Sequence, residues 1–240
     1  MPGVSTQREE QPEAVRLSTA LVIDDHPLFC EALSMTLKSA IRVEEIVTAE
    51  RLEQAIEQIR GGLQPDVVML DLNLPDVNGL EGLVRLKKIA ANVPIIVVSS
   101  LAENRIVASA IKAGASGFVP KHSQRDVFLR AFTDIWAGRV YLPDGYVEVS
   151  EDDASPQSAE EDAILRLSQL TQQQARILQC VCEGKLNKQI AYDLSIAETT
   201  VKAHVTAILR KLGVQSRTQA VLMAQNTHFA KILQDDNKVT

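Results

Sequence analysis

The sequence predicts two units in series: an α/β unit built on a parallel sheet, then an all-α unit. Three observations predict it. Short apolar, partly β-branched runs alternate with helical patterns as far as Ala137, as strands joined by crossover helices do. A stretch rich in Glu, Asp, Ser and Pro then interrupts the pattern between Pro143 and Asp162. Beyond it the spacing of apolar residues is helical throughout, and the charge changes sign. The span Ser168 to Lys231 carries +5, the rest of the chain −11. Such asymmetry suggests a module that meets a polyanion, joined to an acidic one.

The elements follow in order. Residues 1–16 are polar, with Pro2, Gly3 and Pro12, and read as a loose tail. Ala20-Leu21-Val22-Ile23 reads as a buried strand ending at Asp24-Asp25, and Pro27 suits the first turn of the helix through Leu28, Leu33 and Leu37. A second strand near Val43 to Thr48 precedes a helix from Arg51 to Arg60, ended by Gly61-Gly62. Asp66 to Leu70 is the third strand. It leads into Asp71, then Pro75 and the Asn78-Gly79 pair that mark a loop. A helix from Leu80 to Ile89, a strand from Pro94 to Val98 ending at Ser99-Ser100, and a helix from Glu103 to Ala113 come next. The fifth strand, Gly117-Phe118-Val119, runs into Pro120-Lys121, and a helix from Ser123 to Ala137 completes the unit.

In the second unit, Thr171 and Gln174 form a capping box opening a helix that Gly184 ends. A short helix from Lys188 to Leu194, a three-residue turn and a longer helix from Glu198 to Leu212 make a helix-turn-helix pattern. A last helix runs from Thr218 to about Asn226.

Composition narrows the function classes. Apolar and charged fractions are those of a soluble globular protein. No stretch approaches the ~18 consecutive apolar residues of a membrane span, and the N-terminus lacks a secretory pattern, so a cytoplasmic protein without membrane attachment is expected. Cys30, Cys180 and Cys182 give neither a disulfide framework nor metal-site spacing and read as small buried apolar residues.

Right-handed crossovers leave all five strands pointing the same way, which collects Asp24, Asp25, Asp71, Ser99 and Lys121 at one edge of the sheet. Three neighbouring carboxylates need a cation to remain ionised, and hard oxygen ligands suit Mg²⁺. A carboxylate accepting a phosphoryl group brings two anions together, so a divalent cation and a fixed ammonium must absorb the charge. Lys121 offers that ammonium, and Ser99 a hydroxyl able to donate to a phosphoryl oxygen.

Residues 17–142 resemble a response-regulator receiver domain. The resemblance rests on Leu21-Val22-Ile23-Asp24-Asp25-His26-Pro27, Met69-Leu70-Asp71-Leu72-Asn73-Leu74-Pro75, Ser99-Ser100 and Phe118-Val119-Pro120-Lys121. It implies a flavodoxin-like doubly wound sheet of order 2-1-3-4-5, with Asp71 phosphorylated by a partner histidine kinase. It also implies Mg²⁺ held by Asp24, Asp25, Asp71 and the backbone carbonyl of Asn73, and a switch formed by Ser99 and Phe118. His122 stands where relatives more often carry a small polar residue.

On the helix from Glu198 to Leu212, Val201, Val205, Ile208 and Leu212 form one apolar face, opposite Lys202, Ala203, Thr206 and Arg210. Small and cationic residues together suit a major groove: Lys202 for guanine O6 and N7, Ala203 for a thymine methyl. Lys188, Arg210, Lys211 and Arg217 are placed to meet phosphates.

Residues 168–231 resemble the four-helix DNA-binding domain of the LuxR class. The matching pieces include Leu170-Thr171, Asn187-Lys188, Ile190-Ala191, Thr200-Val201-Lys202, Lys211-Leu212-Gly213-Val214 and Ser216-Arg217-Thr218-Gln219-Ala220. The whole chain is therefore similar to a NarL/FixJ-type regulator: a transcription factor rather than an enzyme, in which phosphorylation switches dimerisation and sequence-specific binding. The resemblance makes Glu198 to Leu212 the recognition helix, with Lys202, Ala203 and Thr206 at bases. Gln173-Gln174 replaces a usual Arg-Glu pair, Ala197 a usual serine cap, and Thr206 a frequent lysine.

The expected organisation is a tail (1–16), a receiver (17–142), a flexible acidic linker (143–163), a helix-turn-helix domain (164–232) and a tail (233–240). Expected partners are duplex DNA with paired half-sites, a sensor histidine kinase, a second copy of the chain when phosphorylated and, as a further candidate, RNA polymerase. The alternative is a small-molecule-sensing or phosphorylation-independent transcription factor with the same DNA module, which calls for an aromatic-lined pocket in place of the acidic cluster.

Overall fold

The structure is a computed structural model, and it describes residues 17–148 and 156–227. The sheet is parallel: β1 (Thr19–Ile23), β2 (Glu45–Ala49), β3 (Val67–Leu70), β6 (Ile95–Ser99) and β7 (Gly117–Pro120), in the order β2-β1-β3-β6-β7. Two further strands, β4 (Asn73–Leu74) and β5 (Val77–Asn78), pair with each other as a small hairpin outside the sheet. The five sheet strands therefore take the expected 2-1-3-4-5 arrangement, and all their pairings are parallel.

Alternation along the strands decides what each face packs on. Leu21, Ile23, Val68, Leu70, Ile95, Val97 and Phe118 meet helices α2 (Leu52–Arg60), α3 (Leu80–Ile89) and α4 (Asn104–Lys112). Ala20, Val22, Val67, Met69, Ile96, Val98 and Val119 meet α1 (Pro27–Thr36) and α5 (Arg125–Trp136). The central strands are buried on both faces, which is why they read as unbroken apolar runs. Trp136 stacks on Phe132 with ring centroids 5.2 Å apart, and both rings belong to the core on this face. At the sheet edge Tyr141 bridges to Gly117, where a β-carbon would come within 3.0 Å of both Tyr141 and Ile135. Only glycine lets that last segment lie so close.

The first helix does not stop at Leu37, where the sequence pattern fades. It continues as a π-helical turn, Leu37–Ile41, that buries both end residues and closes on Arg42 in the left-handed region, φ 59°. The hairpin after Asp71 is tied to α2: the Asp76 carboxylate accepts the amides of Leu52 and Glu53 at 3.1 and 3.0 Å. Residue Arg51 has no side-chain cap of its own, so Asp76, 24 positions after Leu52, supplies it.

Part of the segment read as a flexible acidic linker is helical: α6 spans Pro156–Ser168. Its residues Ala163, Ile164, Leu165 and Leu167 are buried, and it packs against α3 and α4 on one side. On the other it meets α9 (Glu198–Leu212) and α10 (Arg217–Asn226). The remaining helices are α7 (Gln172–Cys182) and α8 (Asn187–Asp193). The predicted capping box is present, with Gln174 N–H donating to Thr171 Oγ1 at 3.3 Å and Thr171 N–H to Gln174 Oε1 at 3.1 Å. Between α8 and α9 the chain turns through Ser195 at φ 54°. The last turn of α9 ends on Gly213 at φ 67°, and Arg166 of α6 donates to the Leu212 carbonyl at 3.2 Å. A β-carbon at Gly213 would meet that guanidinium, which can swing aside, so it is the left-handed backbone that favours glycine here. All three cysteines are free thiols; Cys30 and Cys180 are buried, and Cys182 is half-buried.

Candidate functional site

Sheet hydrogen bonding carries past the strand ends and fixes the residues that follow them. Asp24 N–H donates to Ala49 O, Asp71 N–H to Ile23 O, and Lys121 N–H to Ser99 O, all at 2.9–3.0 Å. Asp24 and Asp71 are thereby held side by side, 2 % and 3 % exposed, with Ser99 fully buried next to them. The Lys121 ammonium reaches across and lies 2.7 Å from Asp71 Oδ2 and 2.7 Å from Asp24 Oδ2. Phe29, in the first turn of α1, places its ring 4.9 Å from the same nitrogen. Asp25 is more exposed and sits at the mouth with His26, whose Nδ1 is 2.7 Å from Asp25 Oδ1 and 3.2 Å from Asp24 Oδ1. Ser99 Oγ accepts the amide of Leu101 at 3.3 Å, and Phe118 is fully buried on the α2–α4 side.

The electrostatics follow from the burial. Burial raises the Asp71 carboxyl above its ordinary value, although the Lys121 hydrogen bond and the Asn73 backbone oppose it and Asp24 adds to the rise. Burial alone would lower the Lys121 ammonium, but hydrogen bonds to Asp24 and Asp71 outweigh it and leave it raised. Burial, with the Asp24 charge second, pushes the Cys30 thiol up to about 11, so it is inert.

One cation therefore serves two buried carboxylates, and the account is incomplete on the oxygen side. Among the described residues Asp71 Oδ1 is buried without a hydrogen-bond partner, and so is Asp25 Oδ1, its contact to His26 being close but badly angled. Ligand atoms from Asp24, Asp25, His26 and Asp71 lie within 4.8 Å of one another. Orphaned hard oxygens converging on one point are what a divalent cation would satisfy, so the residues present fit one. The acidic cluster is of the kind that holds Mg²⁺ in receiver domains.

The second surface lies on α9. Val201, Ile208 and Leu212 are buried and Val205 half-buried, while Lys202, Ala203, Thr206 and Arg210 are exposed on the opposite face. Lys202 is held by Glu198 one turn earlier at 3.0 Å, and Thr206 returns its hydroxyl to the Lys202 carbonyl. Lys188 is exposed at the start of α8.

Two of the cations expected to face phosphates are tied inward. Lys211 Nζ donates to Gln169 O and Gln174 Oε1, both at 2.9 Å. Arg217 donates to Lys185 O at 2.5 Å and to Asn187 Oδ1 at 3.4 Å, fastening α10 to the approach to α8. These partners lie 30 or more positions away in the chain, so no local pattern signals them.

Comparison with known proteins assigns both halves. Residues 20–133 match the response regulator receiver domain, and residues 168–224 match the bacterial regulatory proteins of the luxR family. The glycerol metabolism activator of Pseudomonas putida is 38 % identical over 215 residues, covering 89 % of this chain and 97 % of that protein. The nitrate/nitrite response regulator NarL of Escherichia coli K12 is 33 % identical, over 85 % of this chain and 94 % of its own. The chain is a two-component response regulator with a LuxR-type DNA-binding domain. Its fold is shared by RcsB of Salmonella typhimurium, at a TM-score of 0.50 with 18 % identity over 87 % of this chain and 98 % of that one. The family consists of transcription regulators, not enzymes. In the described part of this regulator no helix is long and apolar enough to cross a membrane.

Two residues that the sequence left in the background bear on this region: Phe29 beside the Lys121 ammonium, and Asp76 on the hairpin after Asp71. Phe29 was legible only as an apolar residue after Pro27. Asp76 was legible only as part of a turn. A first-turn aromatic next to a strand-end Asp pair, and an acid at the tip of the following loop, are the signals that could have singled them out.

Proposed function

We propose that this regulator is switched by phosphorylation of Asp71, and the observation that carries the proposal is the Lys121 bridge. One ammonium is 2.7 Å from both Asp71 and Asp24, while the other Asp71 oxygen is buried and unpartnered. That is a carboxylate with one oxygen neutralised and the other waiting for a charge. A phosphohistidine on a partner kinase is the donor in this reading. An Asp71 oxygen attacks phosphorus, the O–P bond forms as the P–N bond breaks, and the imidazole leaves with the electron pair.

Asp24, Asp25, Asp71 and the Asn73 backbone carbonyl would hold Mg²⁺, which supplies neutralisation of the phosphoryl oxygens as they approach the carboxylates. Lys121 then pairs with a phosphoryl oxygen, and Ser99, released from the Leu101 amide, donates to another. That movement opens space beside Phe118 and alters the face toward α4. Only a state with better contacts to the phosphoryl group is favoured, so Ser99 and Lys121 set the direction of the switch.

The output is a homodimer in the cytoplasm that sets two α9 helices in the major groove of paired half-sites, about one helical turn or a multiple apart. Lys202, Ala203 and Thr206 read bases; Lys188 and Arg210 meet phosphates. Lys211 holds the reading helix in place from inside the domain, and Arg217 fastens α10 to the approach to α8. Genome-wide occupancy of wild type and Asp71→Asn tests the scheme, followed by anisotropy on a duplex so identified. With phosphodonor and Mg²⁺, wild type should gain at least about tenfold in affinity and Asp71→Asn nothing; an equal response from both overturns it.

A further inference from the structure

The structure assigns Phe29 a positioning role: its ring face is the third support of the Lys121 ammonium, and the one that persists through phosphoryl transfer. This rests on Asp71 being the phosphoacceptor. Lys121 Nζ has three N–H groups. Asp71 Oδ2 and Asp24 Oδ2 take two, each at 2.7 Å, and the Phe29 ring lies 4.9 Å from the nitrogen, within cation–π range. The lysine side chain is only 12 % exposed, so few waters remain to take the third side.

The two carboxylate supports are both lost or weakened when the site is used. Transfer turns the Asp71 carboxylate into an acyl phosphate and moves its charge outward onto the phosphoryl oxygens. Asp24, meanwhile, has a competing demand from the divalent cation. A ring neither titrates nor takes a phosphoryl group. It keeps the ammonium near the position where the phosphoryl oxygens arrive, and it covers the α1 side of the lysine.

The local fold makes this support rigid. Pro27 opens α1, and the amides of Phe29 and Cys30 both donate to the His26 carbonyl at 3.0 and 3.1 Å. The ring itself leans on the core cluster shared by α1 and α5. Lys121 is equally anchored, through its amide to Ser99 O. The ring is thus held by one element and the lysine backbone by another, and the ring meets the ammonium at the end of its flexible stem.

The test is a substitution series in the full-length protein with acetyl phosphate and Mg²⁺. Phe29→Leu keeps an apolar side chain and removes the π face; Phe29→Tyr and Phe29→Trp keep the face. The expected result is about a three- to tenfold slower phosphorylation and a shortened lifetime of the phosphorylated form for Leu, with Tyr and Trp within about twofold of wild type. A second readout is the Lys121 side-chain proton resonance, shifted upfield by the ring in wild type and returned toward the ordinary lysine position in Phe29→Leu. A packing role predicts that Leu behaves like Tyr in rate, and that result overturns the assignment, as does an unmoved lysine resonance. Melting temperatures measured in parallel identify any variant whose rate falls through misfolding, and Phe29→Met then replaces Leu. If wild type itself takes no phosphoryl group, or Asp71→Asn takes as much, it is the phosphoacceptor reading that fails, and the two failures are told apart.

Discussion

The two working surfaces of this regulator put charge to use in opposite ways. At the sheet edge, Asp24 and Asp71 are almost wholly buried and share Lys121, so each charge depends on its neighbours. On α9, Lys202, Thr206 and Arg210 stand in solvent on a helix whose other face makes the core. Buried charge is sensitive to any change of a partner, which would suit the proposed role of registering one added phosphoryl group. Exposed charge is insensitive to its neighbours and available to a polyanion, which suits a surface that must meet DNA. The lesson is that coupling strength follows burial, and mutations at the two sites should report it.

The largest break in that comparison should come from Lys121→Met. It leaves two buried carboxylates without their ammonium, a change of about 2–4 kcal/mol in unfolding free energy. Urea midpoints in chelator and in Mg²⁺ check it, with the cation expected to restore much of the loss. The pH dependence carries the matching sign. The Asp71 carboxyl is raised in the fold, so its contribution is present below the ordinary aspartate value and is lost as pH rises through the raised value. Asp71→Asn removes that slope and should be the more stable protein at neutral pH without a divalent cation.

On the exposed surface the expected effects are on binding alone. Lys202→Ala should cost about 1–3 kcal/mol on the preferred duplex and relax base preference, while Lys188→Ala should weaken all sequences alike and reduce the salt slope by about one. Anisotropy over a salt series separates the two, and urea midpoints should stay within about 0.5 kcal/mol of wild type. The smallest change sharpens the reading helix itself. Ala197 occupies an extended N-cap position with no side-chain cap, so Ala197→Ser should stabilise by about 0.5–1 kcal/mol in thermal unfolding.

Legibility in the sequence followed the range of the interactions. Parallel strands buried on both faces leave continuous apolar runs, and four of the five strands lead into a residue that the structure brings to the sheet edge: Asp24, Asp71, Ser99, Lys121. The same applies to α9, whose apolar positions are a matter of local spacing. What stayed hidden depends on partners far along the chain. The composition of α6 is acidic enough to read as linker, and only its packing on α3, α4, α9 and α10 reveals why Ile164 and Leu167 are apolar. Lys211 and Arg217 look like phosphate contacts because they are cations near the reading helix; that they fasten the domain internally depends on Gln169, Gln174 and Lys185. The hairpin after Asp71 has only Leu74 and Val77 as apolar residues among turn formers, too few for its strands or the cap it provides to be read from spacing.

That cap has a consequence for observing the molecule. The Asp76 carboxylate grips the amides of Leu52 and Glu53, and it sits on the hairpin that begins two residues after Asp71. The end of a helix on another part of the sheet is therefore tied to the loop that leaves Asp71. Those two amides offer a gauge: their hydrogen-exchange protection is expected to fall if the loop leaves its place, with no label needed near Asp71. Helix α2 becomes a place where the loop leaving Asp71 can be watched from a distance.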